Sequence, residues 1–201
     1  MKRILSQEPI LTKLQEDILI GYLLSDGCLE PYNNSGVARL KVGQSLKQKM
    51  FADWLFGVFK NLARTRPIIN AKKQGISFNT LNLKQLYVFY KIFYKDRHKI
   101  VPENIEQLLT PLSLAVWFMG DGSVKSKECN GRIFNTHCFN EHEVLKLCQI
   151  LSRKFSLQTS IRRQKDGLQI YISAKSAREL TKLISPYLLP YFNYKLPRFR
   201  S

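Results

Sequence analysis

The segment Leu109–Gly122, LTPLSLAVWFMGDG, restricts what this chain can fold into more than any other stretch. Thr110 and Pro111 are typical of the N-cap and first position of a helix, because threonine accepts a backbone N–H there and proline has none to leave unpaired. The residues LSLAVWFM carry no charge and one polar side chain, which predicts a helix buried on almost every side. We predict that it ends at Asp121, with Gly122 as the C-cap. A carboxylate is unfavourable at the negative end of a helix dipole, so Asp121 requires a cation or a functional role.

A second segment, Ile18–Gly27, has the same design. Its sequence ILIGYLLSDG is an apolar run that ends in Asp26 and a glycine. The positions of Asp26 and Asp121 differ by 121 − 26 = 95 residues, close to half of the 201-residue chain. Self-similarity at a fixed period indicates an internal repeat, so we predict a duplicated half of about this length.

Two lysines support the duplication independently. Lys99, in KIVP, follows Asp26 by 99 − 26 = 73 residues, and Lys195, in YKLP, follows Asp121 by 195 − 121 = 74 residues. Each half therefore has an Asp at the end of its first helix and a Lys shortly before a Pro. We predict an N-terminal half, residues 1–105, and a C-terminal half, residues 106–201.

The charge of the chain restricts its partners. There are 32 Lys and Arg against 15 Asp and Glu, which gives a formal net charge of +17 and a pI near 9.9. Such a balance is typical of proteins that bind a polyanion, and nucleic acid is the leading candidate. No run approaches transmembrane length and no basic amphipathic helix is found, so no membrane partner is predicted. The cysteines lack Cys-x-x-Cys spacing, which is typical of reduced thiols and indicates no zinc site.

Alternating strands provide polar faces. In VARLKV, apolar residues alternate with Arg39 and Lys41, and in LQIYIS they alternate with Gln169 and Tyr171. A period of two predicts antiparallel strands with one face in the core and one polar face. Together with the helical segments, each half reads as helix, two strands, helix, two strands, helix, which is an α+β architecture.

Local signals divide the second half further. Asn130-Gly131 is typical of a hairpin turn, and it separates strands predicted around residues 123–127 and 132–137. Asn140 is predicted to cap a helix over about residues 141–155, because a short amide side chain satisfies the first backbone N–H groups of a helix.

The paired apolar segments that end in Asp-Gly resemble the two LAGLIDADG motifs of homing endonucleases, in the branch that carries both motifs in one chain. The segments KIVP, FNTHCF and YKLP also resemble this branch, so the resemblance extends over nearly the whole chain. It implies a duplicated αββαββα fold with pseudo-twofold symmetry, in which the two motif helices pack side by side. It also implies two DNA-facing antiparallel sheets, one for each half of a DNA target.

The resemblance implies a metal site at the ends of the motif helices. In the family, the acidic residue of each motif binds a divalent metal beside a scissile phosphate, and the matching residues here are Asp26 and Asp121. The backbone carbonyls before them, at Ser25 and Gly120, are implied to complete the metal shell. The expected ion is Mg²⁺, with Mn²⁺ as a substitute, because it prefers carboxylate, carbonyl and phosphate oxygens.

The branch also implies roles for the two lysines, and this chain departs from it at one position. Lys99 and Lys195 match its lysines, which border the site and help to activate water or stabilise developing charge. Gly120 stands where many members carry a second acidic residue, and Ser25 occupies the same position in the first motif. This difference is expected to affect metal or water positioning while leaving the main ligands in place.

The contact between the motif helices is expected to be asymmetric. Val116 replaces the motif's glycine in the second segment, whereas the first segment retains Gly21. We therefore expect the closest approach at Ala115 and Gly21.

The polar strand faces are expected to bind DNA, because Arg and Gln can read base edges and Lys holds phosphate. The predicted contacts are Arg39, Lys41, Arg132, Arg162, Arg163, Gln169 and Tyr171.

The resemblance thus predicts a monomeric, intron-encoded homing endonuclease. It would use magnesium to hydrolyse both strands of a long double-stranded DNA target and leave short 3′ overhangs. One alternative is an RNA maturase that assists the splicing of its host intron RNA, and another is a DNA-binding regulator that does not cleave. The expected location is intracellular: an organelle if the gene is organellar, otherwise a prokaryotic cytoplasm.

Overall fold

The computed structural model describes residues 9–33, 35–126 and 128–197. Along the chain, a series of helix, two strands, helix, two strands and helix is found twice. The first series consists of α1 (Lys13–Leu23), β1 (Cys28–Pro31), β2 (Ala38–Ser45), α2 (Lys49–Phe59), β3 (Ile68–Asn70), β4 (Gly75–Asn79) and α3 (Lys84–Phe93). A short hairpin and a single-turn helix follow: β5 (Tyr94–Lys95), β6 (His98–Lys99) and α4 (Ile105–Leu108). The second series consists of α5 (Pro111–Asp121), β7 (Gly122–Ser126), β8 (Cys129–Asn135), α6 (Glu141–Phe155), β9 (Thr159–Gln164), β10 (Gly167–Ile172) and α7 (Ala177–Ile184).

Each series forms a four-stranded antiparallel sheet. The strand order is β1-β2-β4-β3 in the first sheet and β7-β8-β10-β9 in the second. The two middle strands are therefore the second and fourth of each series, which is the same topology in both. The predicted α+β class with two antiparallel sheets is confirmed. Within the described residues, no helix has both the length and the apolar character needed to cross a membrane.

The chain divides into two compact units. Among the described residues, the first contains those up to Glu16 together with Gly27–Lys91, and the second contains Asp17–Asp26 together with those from Ile92 onward. The end of α1 and the loop after it thus belong with the second unit. These units are a different division from the predicted N-terminal and C-terminal halves. The division into residues 1–105 and 106–201 concerns the duplication of the sequence and stays a prediction.

In the first unit, the alternation of β2 determines which face of the sheet is buried. The apolar residues of this strand are buried, whereas Arg39 is half-buried and Lys41 is exposed on the opposite face. Helix α2 packs on the buried face, where the ring of Phe56 contacts the ring of Phe78 with centroids 5.4 Å apart. One face of the sheet therefore remains polar, as predicted.

In the second unit, α5 is the central buried helix, and its start is built as predicted. The Thr110 side chain accepts a hydrogen bond from the backbone N–H of Ser113, and the Ser113 hydroxyl accepts one from the N–H of Thr110. Trp117 is fully buried against Phe134 of β8, with ring centroids 4.4 Å apart. The capped, apolar helix is thus fixed at its start and along its length.

The C-terminal end of α5 does not have the left-handed conformation that a glycine C-cap usually adopts. Gly122 is the C-cap, as predicted, but its φ of −72° and ψ of 141° are extended rather than left-handed. Close packing explains the glycine instead, because a Cβ on Gly122 would lie 2.3 Å from the side-chain ring of Phe118 and 2.3 Å from the backbone carbonyl oxygen of Phe118.

The predicted turn at Asn130-Gly131 is wrong, because both residues lie within β8. Ser126 pairs with Cys129, so the hairpin closes before Asn130. Lys127, the last residue of the strand predicted here, lies outside the described residues. The helix predicted after Asn140 is confirmed as α6, with the Asn140 side chain accepting from the N–H of Glu143.

Candidate metal centre and nucleic-acid interface

The first part of the site is the close contact between α1 and α5 at Gly21. A Cβ on Gly21 would lie 2.2 Å from the carbonyl oxygen of Ser113 and 2.8 Å from Cβ of Val116. Only glycine allows the two backbones to approach this closely. Gly21 is therefore a close-contact position, as expected, and the residues that face it are Ser113 and Val116 rather than Ala115.

The two helices also meet where they end. A Cβ on Gly120 would lie 2.5 Å from Oγ of Ser25 and 3.5 Å from Oδ2 of Asp26. The residue before Asp121 thus packs against the pair Ser25-Asp26, which brings both predicted carboxylate ligands to one place. The same contact explains why no acidic side chain occupies position 120, since any side chain there would displace Ser25.

Asp121 is the more unusual of the two carboxylates. Burial is the main cause that raises its pKa from 3.8 to about 7, and the charge of Asp26 raises it further. Lys99 and Lys195 act in the opposite direction. A carboxyl group that is half neutral near pH 7, despite two lysines nearby, lies in a site that still favours additional positive charge.

Lys195 is buried at the end of α5, with 6% of its surface exposed. Its Nζ donates hydrogen bonds to the carbonyl oxygens of Met119 at 2.7 Å and Gly120 at 3.3 Å. Burial lowers the pKa of Lys195 from 10.5 to about 8, although Asp121 and Asp26 oppose this shift. The ammonium group therefore satisfies the last carbonyls of the helix, where its charge also complements the helix dipole.

Lys99 makes the matching contact at the end of α1. It lies at the end of β6, and its Nζ donates to the carbonyl oxygen of Ser25 at 2.9 Å. The carbonyls of Ser25 and Gly120, which are the predicted metal ligands, thus each accept a hydrogen bond from one of the two lysines. A carbonyl oxygen has two lone pairs, so each can accept from a lysine and also face a cation.

The donor set fits a hard divalent cation. Two carboxylates and two backbone carbonyls offer only oxygen, which suits Mg²⁺ rather than a metal that prefers nitrogen or sulfur. Within the described residues, no three His, Cys, Asp or Glu side chains converge on a common point. The residues that could hold a metal are therefore Asp26, Asp121, Ser25 and Gly120.

Asn135 is a site residue that sequence reasoning missed. Its Nδ2 donates to the carbonyl oxygen of Asp121 at 3.0 Å, and its Oδ1 accepts from Nε2 of Gln169 at 2.8 Å. Two hydrogen bonds in series thus connect Gln169, on the polar face of β10, through Asn135 to the backbone of Asp121. The only signal in the sequence was the position of Asn135 within FNTHCF.

In the first sheet, the two predicted DNA contacts share one acidic partner. Arg39 lies opposite Glu30 of β1 and approaches its carboxylate at 2.5 Å, while Lys41 approaches it at 3.3 Å. The hydrogen bond from Arg39 is the main cause that lowers the pKa of Glu30. These cations lie on the polar face, as predicted.

In the second sheet, only part of the predicted set shares a face. Arg162 and Gln169 are directly paired across β9 and β10 and are both half-exposed. Tyr171 follows on the same face, where Nζ of Lys125 lies 5.1 Å from the centre of its ring. These residues form one polar strip.

Arg132 and Arg163 lie on the other face, which corrects the placement expected for them. Arg163 pairs with Leu168, one step out of phase with Arg162, and it contacts Glu141 of α6. Arg132 pairs with Ile172 and is 3% exposed, and its Nε donates to the carbonyl oxygen of Lys195 at 2.5 Å. Arg132 therefore holds the backbone of Lys195, and neither arginine is retained among the DNA contacts we propose.

Comparison with known proteins identifies relatives over most of the chain. The model of the LAGLIDADG DNA endonuclease family matches residues 16–180. The chain is 29% identical to "Cytochrome b mRNA maturase bI2" of Saccharomyces cerevisiae over 90% of its length, and it covers 47% of that protein. It is 28% identical to "Probable intron-encoded endonuclease 1" of Wickerhamomyces canadensis, with 92% of this chain and 85% of the relative covered. The chain therefore spans about half the length of the maturase.

A solved structure matches the fold. The homing endonuclease I-WcaI, in a structure described as bound to its DNA recognition sequence, superposes with a TM-score of 0.86 at 26% identity. The match covers 97% of this chain and 90% of I-WcaI. The fold class predicted from the sequence is therefore that of a known homing endonuclease.

Proposed function

Because the chain belongs to the LAGLIDADG DNA endonuclease family, we propose that it is a site-specific homing endonuclease that hydrolyses both strands of a double-stranded DNA target. The observation that carries this proposal is the meeting of two helix ends at Ser25-Asp26 and Gly120-Asp121, with a lysine on the carbonyls of each. Metal-assisted hydrolysis of a phosphodiester uses a cation held by protein oxygens, and further positive charge beside the phosphate assists it; this site offers groups for both roles.

The metal ligands we propose are the carboxylates of Asp26 and Asp121 and the carbonyls of Ser25 and Gly120. Mg²⁺, or Mn²⁺ in its place, supplies an acidified water when bound and neutralises charge on the phosphate oxygens. Asp121 must give up its proton to act as a ligand, so its pKa of about 7 makes occupancy of the site depend on pH. The site would therefore fill more readily above neutral pH than below it.

The lysines have the role of fixed positive charges. Lys99 and Lys195 are held at the helix ends by carbonyl oxygens, so their ammonium groups need no reorganisation when a phosphate arrives. From there they would stabilise charge that develops on the phosphate and orient the attacking water.

The DNA contacts we propose lie on the polar faces of the two sheets. They are Arg39, Lys41, Arg162, Gln169 and Tyr171. Arg and Gln side chains can bind guanine and adenine edges in the major groove, whereas Lys41 would hold phosphate. Because the chain has a net charge of +17, binding should weaken steeply as salt is added.

The finer proposal follows the family. Each half, residues 1–105 and 106–201, would contact one half of the target, and the protein would act as a monomer on an intron insertion site. Cleavage across the minor groove would leave short 3′ overhangs. The place of action would be an organelle if the gene is organellar, and a prokaryotic cytoplasm otherwise.

Cleavage of the intron-less insertion site tests the proposal. The protein is incubated with DNA that spans this site, in Mg²⁺, in Mn²⁺ and in EDTA, and the product ends are sequenced. We expect a double-strand break with short 3′ overhangs in either metal and intact DNA in EDTA. Intact DNA in Mg²⁺, or a break that persists in EDTA, would contradict it.

A second candidate function is that of an RNA maturase, and the similarity to the yeast maturase favours it. A maturase would bind the host intron RNA and accelerate its splicing, with or without DNA cleavage. Tight binding of that RNA together with no cleavage of the insertion site would make this the principal function. A regulator that does not cleave is less favoured, because both motif carboxylates are present.

A further inference from the structure

The first unit carries a groove on the side of its sheet opposite to Arg39 and Lys41. Lys41 pairs with Asn79 of β4, and Ile76 lies three residues earlier on the same strand. Side chains alternate along a strand, so Ile76 points to the other face, and its pair Ile69 points there too. A groove of about 690 Å³ is lined by Ile69 and Ile76 on that face.

The floor of this groove is apolar and partly open. Ile69 is 52% exposed, whereas Ile76 is buried. Phe56 of α2 lines the groove as well; it is half-buried, and its ring makes a T-shaped contact with the ring of Phe78. The volume lies in the ~300–1,000 Å³ range of sites that enclose small ligands. Such a floor offers a flat ring and an aliphatic wall to a planar ligand group.

The rim of the groove is positively charged. Lys60, Arg64 and Arg66 line it and are exposed, and no carboxylate among the described residues pairs with them. The single acidic side chain that lines the groove, Asp53, is already bound to Lys49 at 2.5 Å. Three uncompensated cations therefore surround an apolar floor.

We propose that this groove, here called the back groove, binds a segment of single-stranded RNA. The phosphates would contact Lys60, Arg64 and Arg66, and a base would lie against the apolar floor. Single-stranded nucleic acid is bound in this way, by a positive groove that follows the backbone and by side chains on which bases stack. Asp53 and the hydroxyl of Thr65 also line the groove, and they offer the acceptor and donor that a 2′-hydroxyl uses.

Other polyanions fit the back groove less well. A bilayer surface is flat and cannot reach a concave floor. In duplex DNA the bases are stacked inside the helix, so the apolar floor would have no partner. The proposal is independent of DNA cleavage and gives the second candidate function a binding surface of its own, away from the polar face of the sheet.

The test compares two pairs of charge-removing substitutions in the same unit. Arg64→Gln/Arg66→Gln removes two cations from the back groove, and Lys72→Gln/Lys73→Gln removes two exposed cations from the β3–β4 turn outside it. Binding of a labelled oligouridine is followed by fluorescence anisotropy over a range of salt. We expect the groove pair to weaken oligouridine binding about 10-fold and to reduce the salt slope by roughly 1.4, which is the value for two phosphates of a single strand. The turn pair should change the affinity less than about 2-fold.

Further arms keep the outcome decisive. Ile69→Ser, on an exposed side chain, should weaken oligouridine binding while thermal unfolding stays unchanged. DNA cleavage by the groove pair should equal that of the native protein, so loss of RNA binding and loss of endonuclease activity are read separately. Equal losses from both pairs, equal binding of oligothymidine, equal competition by polyglutamate, or weaker duplex binding by the groove pair would each overturn the proposal.

Discussion

The two motif helices, α1 and α5, end in the same Asp-Gly pair, but their ends differ in burial. Asp26 is exposed and Lys99 is half-buried, whereas Asp121 is half-buried and Lys195 is 6% exposed. Lys195 also has its backbone carbonyl held by Arg132. A repeat in sequence has thus produced one open and one closed half of a single site. The closed half is where the pKa of a carboxyl rises to about 7, so a cation would stabilise the charge of Asp121 more than that of the exposed Asp26.

The largest effect should come from the carboxylates themselves. Asp26→Asn and Asp121→Asn each remove one proposed ligand, and each should lower the rate of double-strand cleavage roughly 10³-fold or more, because several kcal/mol of charge stabilisation are lost. Cleavage of a supercoiled plasmid that carries the insertion site measures this, and gel retardation should show that DNA binding is largely retained. Cutting at the native rate by either variant would contradict the site.

The next largest effect is a loss of stability when either glycine at the contact between α1 and α5 is replaced, and its size depends on which atoms that glycine faces. In Gly21→Ala the new methyl group would meet the Ser113 carbonyl at 2.2 Å, and a backbone cannot move aside, so we expect about 3 kcal/mol of destabilisation. In Gly120→Ala it meets Oγ of Ser25 at 2.5 Å and Cβ of Ser25 at 2.7 Å; Oγ can rotate away but Cβ cannot, so about 2 kcal/mol is expected. Urea unfolding measures both.

A matched double variant sharpens this prediction. Adding Gly120→Ala to Ser25→Gly should have little effect on the free energy of unfolding, because the atoms that cause the clash are gone. Equal losses for Gly21→Ala and Gly120→Ala, or no relief from Ser25→Gly, would show that the two contacts are not as different as described.

The pH dependence of stability should identify the closed half. The folded pKa of Asp121, about 7, is above the ordinary 3.8, so the folded protein keeps a proton that the unfolded chain releases between these values. Stability is therefore lost as the pH rises from about 4 to 7. Asp121→Asn removes this loss, and its stabilising effect without metal should be about 2 kcal/mol larger at pH 8 than at pH 5.

The control for the pH experiment is Asp166→Asn, which removes a carboxylate from an exposed turn. It shows how much of the change measured for Asp121→Asn comes from replacing an aspartate by itself. A pH-independent effect of Asp121→Asn would argue against the raised pKa of the half-buried carboxyl at the end of α5.

The smallest effect concerns the hydrogen bonds that reach Asp121 from the second sheet. Asn135→Ala removes the donor to the Asp121 carbonyl, and loss of such a supporting contact typically lowers activity 10-fold or more. We expect about a 10-fold lower single-turnover cleavage rate at saturating DNA. Gln169→Ala leaves the contact between Asn135 and Asp121 in place, so it should weaken DNA binding more than it slows cleavage. A cleavage rate unchanged in Asn135→Ala would rule out the positioning role.

The regular elements could be predicted from sequence because their signals are local. The Thr110-Pro111 start of α5, the Asn140 cap of α6 and the alternation in β2 each depend on a few neighbouring residues. The hairpin of β5 and β6 could not, because its two-residue strands are too short to show a period. The turn placed at Asn130-Gly131 failed because pairing across the sheet, not the turn dipeptide, determined the register.

In the candidate site, only the residues that repeat at matching intervals along the chain could be predicted from the sequence. An Asp and a Lys repeat at similar intervals in both halves, so the sequence alone points to them as candidates: Asp26 with Lys99, and Asp121 with Lys195. Asn135 could not be found in this way, because its role depends on where β8 lies beside the end of α5. The same is true of the face on which each arginine lies: Arg162 and its neighbour along β9 point to opposite sides, which an unpaired strand does not reveal.

The most direct test of the unequal helix ends is the titration of Asp121, followed by NMR of protein with ¹³C-labelled aspartate carboxyl groups. Without divalent metal, we expect one carboxyl signal that titrates near pH 7, that is missing in Asp121→Asn and that moves to lower pH in Asp26→Asn, because the charge of Asp26 is one of its causes. Mg²⁺ together with uncleaved target DNA should move the midpoint of the native protein well below 7. If every aspartate titrates below pH 5 in the absence of metal, or if Mg²⁺ leaves the signal near 7 unmoved, Asp121 is not the buried ligand described here.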